Sequence, residues 1–172
     1  TLDRSSAASD VYKRQIVYPG NFGTFNWGSI AVDPQRQVMF GMPTYLAFTS
    51  RLVPRADIPP KGEGEKASEQ GLNRNEGAPY GVVMGPFLGK LKVPCQAPPW
   101  GYVAGADLTT GQIAWKHRNG TVRDMTMLPL PFKLGVPGIG GPIITAGGVA
   151  FLAAAVDDFI RGYDLTTGGQ LW

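Results

Sequence analysis

Ala106-Asp107-Leu108-Thr109-Thr110-Gly111-Gln112-Ile113-Ala114-Trp115 returns, further along the chain, as Tyr163-Asp164-Leu165-Thr166-Thr167-Gly168-Gly169-Gln170-Leu171-Trp172. Gly111 and Gly168 are 57 positions apart, and so are Trp115 and Trp172. A fixed period of this size marks a repeat architecture, so the spacing decides the fold class. Each copy has hairpin chemistry. The Asp carboxylate can accept backbone N–H bonds inside the turn, Gly allows a positive φ, and apolar residues flank both. The closing Trp is large and rigid, suited to wedging between neighbouring sheets. Two unrelated Asp-Gly turns would not share both DLTTG and a Trp at one offset.

The rest of the chain agrees with β structure. It holds 24 Gly and 15 Pro in 172 residues, interleaved with apolar runs. No run reaches the roughly 20 apolar residues of a membrane helix. The best candidate, Pro142 to Val156, contains Gly147 and Gly148 and reads as two buried strands joined by a glycine turn. Ser29 to Val32 reads as a short strand, Asp33-Pro34-Gln35-Arg36 as its turn and Val38 to Phe40 as the returning strand. Met125 to Pro137, with three prolines, cannot be a regular helix and is predicted to be an extended connection. The polar stretch 56–78 is predicted to be an insertion loop.

Residues 1–15 form a separate case. Ser5 to Gln15, SSAASDVYKRQ, is the literal translation of a transposase sequencing adapter. Thr1 to Gln15 is therefore expected to be an artefact that packs against nothing, the genuine protein beginning at Ile16 in mid-gene. Setting it aside leaves thirteen basic and eleven acidic residues, a net charge of +2. That is too small to imply nucleic acid or an anionic membrane surface as a partner. Cys95, the single cysteine, can form no intrachain disulfide and is expected to be a small, partly buried thiol. His117, also alone, is expected to be a solvated histidine at a strand end.

The two repeats resemble the tryptophan-docking motif of the pyrroloquinoline quinone (PQQ) dehydrogenases, the quinoprotein β-propellers, whose blades each end in a Trp that docks on the next. The text ahead of the first repeat resembles the membrane-bound PQQ-dependent glucose dehydrogenases. It does so at Tyr18-Pro19-Gly20-Asn21 to Trp27-Gly28, Pro43 to Arg55, Pro79-Tyr80-Gly81-Val82 and Val93 to Tyr102. The resemblance covers 16–172 and implies an all-β fold, part of an eight-bladed propeller of about two to three blades, with Asp107, Gly111, Trp115, Asp164, Gly168 and Trp172 as docking residues.

It also implies a chemistry. The family oxidises D-glucose, an aldose, to glucono-1,5-lactone with PQQ. A divalent cation, Ca or Mg, lies beside the cofactor, and electrons pass to ubiquinone at the periplasmic face of the bacterial inner membrane. Membrane association is expected through N-terminal helices outside this sequence. The family's catalytic Asp and PQQ-contacting Lys are expected upstream, so no catalytic residue is assigned here. Four residues are candidates for the cofactor wall. Met42 stands where the family commonly has an Asn that contacts the quinone; a thioether cannot donate the bond an amide can. Asn26 and Trp27 are nearby polar and stacking groups. Asp157 matches a family Asp near the substrate or cation, although Asp157 and Asp158 also suit a hairpin turn.

Two alternatives stand beside this reading. Quinate or shikimate PQQ dehydrogenases share the architecture. A non-enzymatic propeller scaffold for protein partners would share the repeats but not the loops. A partial propeller leaves blade faces uncovered, so the chain is expected to associate.

Overall fold

A computed structural model describes residues 13–60, 71–123, 132–153 and 155–172. Its strands are β1 (Gln15–Val17), β2 (Ile30–Asp33), β3 (Val38–Gly41), β4 (Phe48–Pro54), β5 (Leu72–Asn73), β6 (Tyr80–Pro86), β7 (Tyr102–Asp107), β8 (Gln112–Arg118), β9 (Pro142–Ile144), β10 (Val149–Leu152) and β11 (Arg161–Asp164). One short 3-10 turn at Arg55–Asp57 is the sole helical element among the described residues. The chain is all-β, as the repeat predicted.

Two units interleave along the sequence. The first comprises residues 1–21 and 47–87, the second 22–46 and 88–172. The first unit is a four-stranded sheet in the order β1-β4-β6-β5, every neighbour antiparallel. Its interior holds Ala47, Phe48, Val53 and Val83. Two sequence expectations change here. Gln15 pairs with Ser50 at the start of β1, so residues 1–15 do not all stand apart; residues 1–12 lie outside the described residues. Ladder hydrogen bonds are made by the backbone, so strand pairing at this position does not depend on the Gln15 side chain. The stretch 56–78 is not loop throughout, because Leu72 and Asn73 pair with Val83 and Val82. Arg55 ties this hairpin down by donating to the carbonyls of Arg74, Asn75 and Ala78.

The second unit carries both repeats. Its first sheet runs β2-β3-β7-β8 and its second β9-β10-β11, each an antiparallel meander. A bridge between Tyr163 and Gln170, with Leu171 N donating to Gly162 O at 2.8 Å, starts a fourth strand beside β11. The predicted strand pairs around Asp33 and around Gly148 both form, but the second pair is not buried as expected: Ile143 and Phe151 on its strands are exposed, because only one face of that sheet packs on the core. The core lies between these two sheets and contains Phe40, Val103, Ala150, Leu152, Tyr163 and Leu165. The first strands, β2 and β9, meet. Just before them Gly28 and Gly141 approach so closely that a Cβ on Gly28 would sit 2.0 Å from Gly141 N. Neither position admits a side chain.

The predicted connection 125–137 is described only from Phe132 onward, and that part is extended and non-helical; 124–131 lies outside the described residues. Cys95 is exposed, not partly buried as its small size suggested. Nothing local in the Pro-rich stretch around it announces that the apolar neighbours face elsewhere.

Candidate functional site

The docking contact is built first, because it sets the position of everything else. Asp107 Oδ1 accepts the Thr109 N–H and the Thr109 hydroxyl, both at 2.7 Å. Asp164 Oδ1 does the same for Thr166 N, Thr167 N and the Thr167 hydroxyl at 2.8–3.0 Å. Gly111 and Gly168, at φ +70° and +72°, close the two turns by donating to the carbonyls of Asp107 and Asp164. Trp115 then crosses to the second copy of the motif. Its Nε1 donates to Leu165 O at 3.0 Å. Its ring fills the space where a Cβ on Gly168 would lie, and on the near side the space of a Cβ on Gly105. One Gly frees the backbone for the turn and leaves room for the indole. His117 is exposed, as expected, yet it takes part: it stacks on Trp115 at 16° and its Nε2 lies 3.2 Å from Thr167 O. Trp172, the counterpart of Trp115, is 70% exposed.

A second strap joins the sheets at the same end. Asp33 accepts the Gln35 and Arg36 N–H groups at 2.9 Å, and Arg36 Nη1 at 2.7 Å. The same guanidinium reaches Ala146 O at 3.2 Å in the neighbouring hairpin. These bonds hold three carboxyls below the ordinary Asp value. The main cause is the Arg36 N–H for Asp33, the Thr109 hydroxyl for Asp107 and the Thr167 N–H for Asp164. A carboxyl whose folded pKa is depressed adds stability above its unfolded value and loses it as pH falls through the folded one. The unfolded value is near 3.8, so the melting temperature should hold from neutrality down to about pH 5 and fall below about pH 4. Asp107→Asn with Asp164→Asn keeps acceptors in both turns and should flatten the acid limb of a melting-temperature profile. An unchanged limb would show that these turns do not carry it.

Because the strands alternate direction, the Asp-Gly turns and the 33–37 and 145–148 hairpins share one end of the sheets. The opposite end carries 22–29, 42–46, 119–123, 153 and 155–160. All four predicted wall residues fall at this opposite end. Their surroundings differ. Trp27 is 99% exposed, immediately before β2. Asn26 holds it there: its Oδ1 accepts Trp27 N at 2.8 Å and its Nδ2 donates to Phe22 O at 3.1 Å. Met42 is in the core, 3% exposed, with its sulfur accepting Asn119 Nδ2 at 3.1 Å. Asp157 is 1% exposed. Its carboxylate faces Arg161 through two bonds, Nη1–Oδ1 at 3.0 Å and Nη2–Oδ2 at 2.5 Å, and accepts Thr121 N at 3.0 Å.

Met42 and Asp157 are brought together through residues 119–121; Asn26 and Trp27 are held on a loop of their own. The bridging residues were not singled out from sequence. Asn119 places its Oδ1 2.7 Å from the Tyr163 hydroxyl while its amide meets Met42. Burial, with Asp157 nearby, pushes the Tyr163 phenol up to about 12, so it stays a donor. The signals available were faint: Asn119-Gly120 as a turn pair, and Arg161 four residues after Asp157. Among the described residues no group of three metal-ligating side chains is close enough to hold an ion.

Comparison with known proteins adds the family context. A family profile described as "PQQ: Glucose/ethanol/alcohol dehydrogenase, beta-propeller domain" matches residues 7–172. The chain is 48% identical to a quinoprotein glucose dehydrogenase of Gluconobacter oxydans (strain 621H), over 93% of this chain and 22% of that protein. It is 36% identical to a probable quinate dehydrogenase (quinone) of Xanthomonas campestris pv. juglandis, over 91% of this chain and 21% of that protein. Among solved structures it resembles the quinohemoprotein alcohol dehydrogenase ADHIIG of Pseudomonas putida HK5, with TM-score 0.56 and 22% identity over 99% of this chain and 21% of that one. The last likeness concerns the fold. The chain spans about a fifth of the length of the curated relatives it matches.

Proposed function

The chain belongs to the β-propeller family of the PQQ-dependent glucose/ethanol/alcohol dehydrogenases, and on that premise we propose that it forms part of a quinoprotein dehydrogenase that oxidises D-glucose to glucono-1,5-lactone. The observation that carries the substrate class is the identity of 48% to a quinoprotein glucose dehydrogenase against 36% to a probable quinate dehydrogenase, over nearly the same residues. A scaffold sharing only the docking repeats would not match across the loops.

The residues present fit one wall of a planar, polar cofactor. Trp27 offers an uncovered indole face at the start of β2, where the first strands of the two sheets meet. Aromatic stacking there suits a fused quinone ring. Asn26 fixes the Trp27 backbone and so orients the indole. The buried groups are less available: the Asp157 carboxylate accepts from Arg161 and Thr121, and Met42 lies under Asn119. Asp157 thus acts on the site by holding the 119–121 backbone. When bound, PQQ supplies the two-electron acceptor, and a divalent cation and ubiquinone complete the chemistry in the longer protein at the periplasmic face of the inner membrane.

The test uses the longer protein that carries this segment, loaded with PQQ and Ca or Mg. Reduction of a ubiquinone analogue with glucose, and little with quinate, is the expected result. Activity with quinate and none with glucose would overturn the substrate. Trp27→Ala should weaken PQQ binding to the apoprotein by about tenfold, as expected for loss of a stacking face of about 1 kcal/mol or slightly more. Unchanged affinity in a fluorescence titration would remove Trp27 from the wall.

A further inference from the structure

Strand β8 ends in Lys116-His117-Arg118, and the second Asp-Gly turn lies across from it. Between them runs an open groove of about 380 Å³, whose lining includes His117, Arg118, Lys133, Gly168, Gly169 and Gln170. Both walls belong to the second unit and are already bonded to each other. His117 Nε2 lies 3.2 Å from Thr167 O, and Lys133 Nζ donates to Gln170 Oε1 at 2.8 Å.

The groove gathers cations without a counter-ion. Its lining holds an arginine, a lysine and the chain's one histidine, and no carboxylate. The carboxylates of the two turns are bonded elsewhere, Asp107 to Thr109 and Asp164 to Thr166 and Thr167. Asp33 takes Arg36, and Asp157 takes Arg161. The Arg118 side chain is exposed and makes no hydrogen bond or ion pair among the described residues. Lys133 carries three N–H donors and directs one at Gln170. Thr167 O can only accept, so Nε2 carries the His117 N–H, and Nδ1 stays open to a further partner.

We propose that this groove binds a phosphate group, borne by free phosphate or by a phospholipid headgroup. A guanidinium fork matches two phosphate oxygens, and an ammonium beside it adds a point charge. Two fixed cations with an imidazole suit a doubly charged phosphate better than a singly charged carboxylate. The site lies along the outer strand of its sheet, and none of Asn26, Trp27, Met42 and Asp157 lines it.

Inorganic phosphate tests it on the 172-residue chain, read at the His117 ring signals in a proton NMR spectrum. One histidine makes these signals unambiguous. The Trp115 ring stacked 5.7 Å away makes them sensitive to small displacements. They should move saturably with phosphate and stay in place with chloride at matched ionic strength. Arg118→Gln combined with Lys133→Gln should bind phosphate at least about tenfold more weakly. Arg118→Gln alone serves should the double variant unfold. A response that does not saturate, an equal response to chloride, or a variant that binds like the parent would each overturn the proposal. Phosphatidylglycerol vesicles separate the two sources. Cosedimentation that the substitutions abolish assigns the site to a headgroup, and a phosphate response without vesicle binding assigns it to free phosphate.

Discussion

Trp115→Ala should cost the second unit about 3–5 kcal/mol, the range for truncating a large aromatic into a cavity that its surroundings cannot refill. The surroundings cannot move in because they are backbone. Gly105 and Gly168 lie on either side of the ring, and a Cβ on either would already clash with it. The indole also donates to Leu165 O, so the alanine variant strands an acceptor beside a fully buried leucine. Trp115→Phe separates the two effects. It keeps most of the packed area and loses the bond to Leu165, which should cost about 1–3 kcal/mol, the usual penalty for a buried polar group left unpaired. Denaturant midpoints at one fixed, dilute concentration would measure both. An alanine variant within about 1 kcal/mol of the parent would mean that the ring is not what joins the sheets. His117, stacked on the same indole, should lose its contact with Thr167 in either variant.

Arg161→Ala should be nearly as damaging, at about 3–5 kcal/mol, because it leaves a buried carboxylate without its counter-ion. Asp157 is 1% exposed and Arg161 8%, so water cannot replace the missing partner. The pair itself contributes less than its removal costs, since both ions were desolvated to form it. That asymmetry gives the check. Asp157→Asn combined with Arg161→Met removes both charges, retains an acceptor for Thr121 N and fills the guanidinium's space. It should be markedly more stable than Arg161→Ala alone. A double variant as unstable as the single would show that the loss comes from packing and not from the stranded charge. The loop order is read at the same time, since Thr121, Asn119 and Tyr163 lie on this network.

Several features of this architecture were open to reading residue by residue because their causes are local. The Asp-Leu-Thr-Thr-Gly turns needed no partner beyond five residues, and both closed with the carboxylate and the positive φ that the pattern required. The strand pairs around Asp33 and Gly148 formed for the same reason. Family membership followed from text that runs through loops as well as repeats. Burial was less legible. Cys95 was expected to be partly covered and is exposed. Leu72 and Asn73, inside a polar stretch, gained a strand because β6 offered them a free edge.

The candidate wall divides along the same line. Trp27 and Asn26 were named from their residue types, and their loop is local, with Asn26 bonding to Phe22, Trp27 and Ser29. Met42 and Asp157 were named by correspondence with the family, which carries no information about which way a side chain turns. Their settings come from residues far away in sequence: Asn119, 77 positions from Met42, and Thr121, 36 from Asp157. A lone Asn before a Gly reads as a turn; it becomes a bridge between a thioether and a phenol only when β11 packs against β3. By itself, then, the sequence determined the hairpins, the period and the family, since hydrogen bonds within five residues and apolar alternation act without a partner. Only the tertiary structure decided that Trp115 docks against Leu165 and Gly168, that Met42 is covered and that Asp157 is neutralised by Arg161. Burial and charge pairing depend on what the folded chain brings into contact, and a change of neighbour alters both without altering a residue.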